Sequence, residues 1–129
     1  MTGDAIPDEL RRFLLTGALS VPHVEAILQL RGDTAHAWDA QSLAPRLYVR
    51  AARAAEVLAD LHEIGVARLV DGEHPVYLYE PATSDLIALL DQLEQAYSSQ
   101  LVAVTRLIHS AEERKAQNFA NAFRFRKDS

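Results

Sequence analysis

Arg46, Arg50 and Arg53 stand at helical spacing on either side of Tyr48. A guanidinium is a rigid fork of donors that fits a phosphate or a guanine edge with two parallel hydrogen bonds. Three of them around one bend of chain make a small set able to face nucleic acid. The alternative is a solvated face with local pairs such as Arg53 to Glu56. Tyr48 either touches the same anion or covers the core, and the core edge is the expected place for it. A second set closes the chain, where Arg124, Phe125, Arg126 and Lys127 follow Phe119 and Phe123. Its cations suit an arm on a nucleic-acid backbone or a frayed end, and Phe119 and Phe123 suit docking on a partner or a second subunit. The five histidines are scattered, with no i, i+4 pair and third ligand, so surface or core-edge places are expected and no metal. Ser98, Ser99 and Ser110 have no evident base beside them, and the five glycines are isolated. No enzymatic activity and no cofactor are expected.

Composition sets wider bounds. The 129 residues suit one domain with a modest core. There is no cysteine, which excludes disulfides and thiolate metal sites. MTGDAIPDEL lacks the basic and apolar regions of a secretion signal, and no apolar run approaches membrane-spanning length, so a cytoplasmic protein is expected. The formal net charge is −5, unsuited to a generic polyanion binder. It is unevenly spread: Glu80 to Thr105 carries only acids, whereas Arg106 onward holds Arg106, Arg114, Lys115, Arg124, Arg126 and Lys127.

The elements that position these residues follow from periodicity. Residues 1–6 read as loose. Pro7 opens a first helix with Leu10, Phe13 and Leu14 inward, and Gly17 stops it. Ser20 caps a second helix with Val24, Ile27 and Leu28 inward, ended by Gly32. Asp39 caps a third with Leu43, Ala44 and Leu47 inward, which Pro45 should shorten or kink. A fourth runs from about Arg50 to Ile64 on Ala54, Val57, Leu58 and Leu61, with Gly65 as its left-handed terminus. Arg68–Val70 and Val76–Tyr79 alternate as strands around an Asp71–Gly72 turn. Ser84 then caps a long helix on Leu86, Leu90, Leu93, Tyr97, Leu101, Val104 and Ile108, steps close to a coiled-coil seam. The Ser110 to Glu113 spacing of a capping box suggests a break at His109–Ser110 and a final helix.

Asp39 to Tyr79 resembles the winged helix-turn-helix domains of bacterial transcriptional regulators of the MarR and ArsR type. Leu43-Ala44, Leu47, Val49, Ala54, Leu58, Leu61, Gly65, Val66 and the Tyr77–Tyr79 strand carry the likeness, over about a third of the chain. The resemblance implies a mainly α fold with a small β-hairpin, a winged helix-turn-helix core plus long C-terminal helices. It divides the chain into a winged-helix domain at 1–81 and a dimerisation arm with a basic tail at 82–129. It implies a helix from Arg50 to Glu63 in the DNA major groove and a hairpin on phosphates or the minor groove. Arg46, Tyr48, Arg50, Arg53 and Arg68 are then the DNA-binding residues, double-stranded DNA the partner, and the seam from Leu86 to Ile108 the homodimer interface. The hairpin tip, with Asp71, Glu73 and His74, and the low net charge fit a second reading. In it the module docks a protein partner through its acidic wing or aromatic C-terminal helix and does not bind DNA.

Overall fold

The computed structural model describes residues 6–16, 19–71 and 73–128, with side chains described to residue 121 except at 71. Among them lie six helices and one antiparallel pair of strands. These are α1 (Asp8–Thr16), α2 (Val21–Gly32), α3 (Ala40–Leu47), α4 (Ala51–Glu63), β1 (Ala67–Asp71), β2 (Val76–Tyr79), α5 (Ser84–Ser99) and α6 (Leu101–Asp128). The fold is therefore mainly helical with a small hairpin, as the periodicity implies. Residues 1–5, Gly17 as a helix stop and Gly72 in the turn lie outside the described residues.

The chain forms two compact units, and their division differs from a cut at residue 81. One is Val21–Glu94; the other joins Met1–Ser20 to Gln95–Ser129. The reason is that α1 packs on α6, with Leu10 and Leu14 of α1 and Val104 and Ile108 of α6 all fully buried. Pro7 lies just outside α1, its carbonyl accepting from the Arg11 N–H at 2.9 Å.

In the Val21–Glu94 unit α2, α3 and α4 pack on one another, with the hairpin against α2 and α4. Val24, Ala26, Ile27 and Leu30, then Leu43 and Leu47, then Ala54, Val57, Leu58 and Leu61 form the core. Each large side chain withdrawn from water contributes about 1.5–3 kcal/mol before entropy is charged against it. Asp39 caps α3 as its sequence suggests: its carboxylate accepts from the Ser42 N–H at 2.7 Å, and its own N–H donates to Ser42 Oγ at 3.1 Å. Pro45 sits inside α3, which ends two residues later. Gly32 is the last residue of α2 and not a left-handed cap; Gly65 is the positive-φ glycine among the described residues.

The strands pair Arg68 with Leu78, Leu69 with Tyr77 and Asp71 with Val76, so Val70 is an extra residue in a bulge. Asp71 thus belongs to β1 and not to the turn. Trp38, before α3, exchanges two backbone hydrogen bonds of 2.8 Å with Tyr77 and so ties the entry of α3 to the hairpin.

Two helix boundaries depart from the sequence reading. Thr83, not Ser84, caps α5, its hydroxyl accepting from the Leu86 N–H. The break after α5 falls at Gln100, not at His109–Ser110. Ser98 and Ser99 hydroxyls both donate to the Gln95 carbonyl, at 3.1 and 2.7 Å, and such back-bonding draws a carbonyl out of the helical ladder and bends the helix. Gln100 N–H closes α5 on the Ala96 carbonyl at 2.7 Å, and the Gln100 carbonyl opens α6 by accepting from Val104 N–H at 3.0 Å. Ser110 lies well inside α6, where the backbone donors a capping box would satisfy are already used.

Candidate functional site

The bend between α3 and α4 consists of Tyr48, Val49 and Arg50. It closes by the Schellman pattern: Val49 N–H donates to Ala44 O at 3.1 Å and Tyr48 N–H to Pro45 O at 3.4 Å. This pattern puts its pivot residue in the left-handed region, usually a glycine. Here the pivot is Tyr48, with φ 56° and ψ 41°. The end of α4 repeats the motif, with Gly65 N–H to His62 O and Val66 N–H to Leu61 O, and there the pivot is Gly65, φ 88°. The same chain thus uses glycine at one bend and a bulky aromatic at the other, where an L side chain costs roughly 1–2 kcal/mol. Tyr48 gains no burial in exchange. It is 94% exposed, which corrects the expectation of a core-edge position.

Arg46 and Arg50 flank it. Both are exposed, and neither has an ion-pair partner among the described residues. Arg50 occupies the cap position of α4 without capping it by its side chain. The other two sequence candidates are engaged: Arg53 donates to Glu56 at 3.1 Å, and Arg68 of β1 to Glu80 at 3.0 Å. Exposed pairs of this kind contribute little stability and can be exchanged for another anion. The structure therefore brings Arg46, Tyr48 and Arg50 together and leaves Arg53 and Arg68 committed locally.

Beyond Arg50 the exposed side chains of α4 are Ala51, Ala52, Ala55 and Ala59, then the acids Glu56, Asp60 and Glu63 and the imidazole of His62. A groove of about 460 Å3 runs beside this helix, between Gln41 of α3, Ala55 of α4 and His74 and Pro75 of the hairpin tip. Another, of about 370 Å3, lies behind the bend, between Leu28 and Gln29 of α2 and the side chains of Arg46 and Tyr48.

Three supporting interactions carry little signal in the sequence. His23 is 4% exposed, and its Nε2 lies 2.8 Å from Asp60 Oδ2, joining α2 to α4. Its place four residues before Ile27 on the apolar stripe is the signal that marks it as buried. Arg31 forks onto Asp91 and Glu94 of α5, and its hydrogen bond to Asp91 raises its already high pKa further. Beside that fork, burial holds the Tyr79 phenol above its ordinary range, against the opposing charge of Arg31. The Trp38–Tyr77 bridge is the third.

Of the expected dimer seam, Leu90, Leu93, Val104 and Ile108 are fully buried inside the chain itself, Leu86 and Tyr97 are half-buried, and Leu101 is exposed. Four of the seven are thus already packed and offer no surface to a second copy. Exposed apolar side chains nearby are Ile87 of α5, Val102 and, further along α6, Phe119, 69% exposed. The side chains of Phe123, Arg124, Arg126 and Lys127 lie outside the described residues. Among the described residues no group of His, Cys, Asp or Glu side chains is placed to hold a metal ion, and no helix is long and apolar enough to cross a membrane. Set against models of known protein families and against curated protein sequences, the chain matches none.

Proposed function

We propose that the protein is a winged-helix DNA-binding transcriptional regulator that acts as a cytoplasmic homodimer. The observation that carries the reading is architectural. Two helices joined by a three-residue bend, α3 and α4, lead directly into a hairpin, and Trp38 pairs back onto that hairpin. The result is one packed module in which α4 lies with an exposed face beside the hairpin tip. A major groove admits a single helix. The exposed alanines of α4 allow close approach, and Arg46 and Arg50 meet DNA while Arg53 and Arg68 stay paired with Glu56 and Glu80. A dimer on this reading uses side chains still exposed on α6, such as Leu101, Val102 and Phe119.

The test is fluorescence anisotropy of purified protein with duplex fragments, including its own promoter region, over a range of salt. Salt-sensitive binding is expected, and Arg46→Ala combined with Arg50→Ala should abolish it. Failure to bind any duplex at low salt would reject the function.

One observation favours a second reading, docking of a protein partner without DNA. The Val21–Glu94 unit carries five arginines against twelve carboxylates. On this reading a pull-down survives nuclease treatment and is lost when Phe119 or the acidic hairpin tip is changed.

A further inference from the structure

Given the DNA-binding reading above, on which this rests, we infer that the bend between α3 and α4 grips the sugar–phosphate backbone while α4 reads almost no sequence. The protein then binds duplex DNA with low sequence discrimination. Base readout in the major groove needs donors and acceptors held on the helix that enters it. The exposed face of α4 offers few, and most of those are acceptors on acids that phosphates repel. Ala51, Ala52, Ala55 and Ala59 have no polar atoms. Arg53 is held by Glu56, and Asp60 by His23. At the far end His62 is tied back to the hairpin, its Nδ1 3.1 Å from the Ala67 carbonyl oxygen, and Glu63 has only an acceptor and a charge that phosphates repel. What remains free is Arg46, Tyr48 and Arg50, and they sit at the projecting bend and not along the helix.

Their chemistry suits phosphates. Two guanidiniums flank a phenol that is 94% exposed. A phenol O–H donates one hydrogen bond to a phosphate oxygen, and each guanidinium supplies two along with its charge. Contacts of this class fix position on a duplex and carry no sequence information. They make affinity fall steeply with salt. Two phosphates neutralised per copy correspond to roughly a tenfold loss of affinity per copy between about 50 and 200 mM salt.

The experiment compares two duplexes of unrelated sequence, matched in length and base composition, by anisotropy across that salt range. Expected are affinities equal within about threefold. Arg46→Ala and Arg50→Ala should each weaken both duplexes alike and lower the slope of log affinity against log salt by about one. Tyr48→Phe, which keeps the ring and the backbone preference, should also weaken both alike. Circular dichroism of each variant separates loss of contact from loss of fold. A hundredfold preference for one duplex, erased by Arg53→Ala, would overturn the inference and leave the DNA-binding function standing. So would slopes unchanged in Arg46→Ala and Arg50→Ala. No binding to either duplex would overturn both.

Discussion

Tyr48 stands where a helix terminus ordinarily places glycine, and it meets solvent there. A side chain kept at a cost to the fold and without burial has its use outside the fold. Tyr48→Gly should therefore raise the unfolding free energy by about 1 kcal/mol, since glycine enters the left-handed region freely. The same substitution should weaken DNA binding, and chemical denaturation alongside anisotropy reads both effects. His23 is the opposite case, a polar residue held for the fold. Its removal opens a cavity and breaks the bond between α2 and α4, so His23→Ala should lower stability by about 2 kcal/mol in denaturant titration. A result below a few tenths of a kcal/mol would show that Asp60 gains nothing from it. Neither residue announces its role in the sequence. A tyrosine between two helices reads as core edge until the backbone reveals its φ, and a histidine is counted as polar until the stripe it lies on is known to be buried.

At the scale of elements, short-range signals were legible and long-range ones were not. The Asp39–Ser42 cap and the Gly65 terminus depend on residues within a few positions of one another, and both stand where the sequence puts them. The cap makes a pH prediction. The Ser42 N–H, and then the Ser42 hydroxyl, hold the Asp39 carboxylate below its ordinary pKa. Its contribution to stability is thus present above the usual carboxylate range and is lost as pH falls through the lower folded-state value. Asp39→Ala should cost about 1 kcal/mol at neutral pH and flatten that part of the acid-stability curve. Gly65→Ala forces positive φ on an L residue and brings its Cβ to 3.4 Å from the Ala82 Cβ, so a loss of about 1 kcal/mol is expected by thermal melting. The same local reasoning misled at Ser110, where a capping pattern lies inside a continuous helix. The actual bend at Gln100 comes from Ser98 and Ser99, residues that more often face solvent harmlessly. The heptad steps from Leu86 to Ile108 correctly mark a buried face. Periodicity cannot say what covers that face, and here much of it is covered by the chain itself.

For the molecule as a whole, charge is the deciding quantity. The excess of acid in Val21–Glu94 disfavours unspecific adhesion to a polyanion everywhere except at the bend, where two arginines are free. Any DNA contact is therefore small per copy, and pairing two copies multiplies it. Light scattering should give twice the monomer mass, and a charged residue at Val102 or Phe119 should lower it; a monomer at high concentration would remove the dimer from the account. The central claim is that duplex DNA meets this protein at the bend before α4. Its most direct test is an NMR titration of the labelled protein with duplex at low salt. Perturbed amides should cluster from Arg46 to Ala55, with a lesser set around His74. An unperturbed bend, with shifts absent or confined to α6, would contradict it.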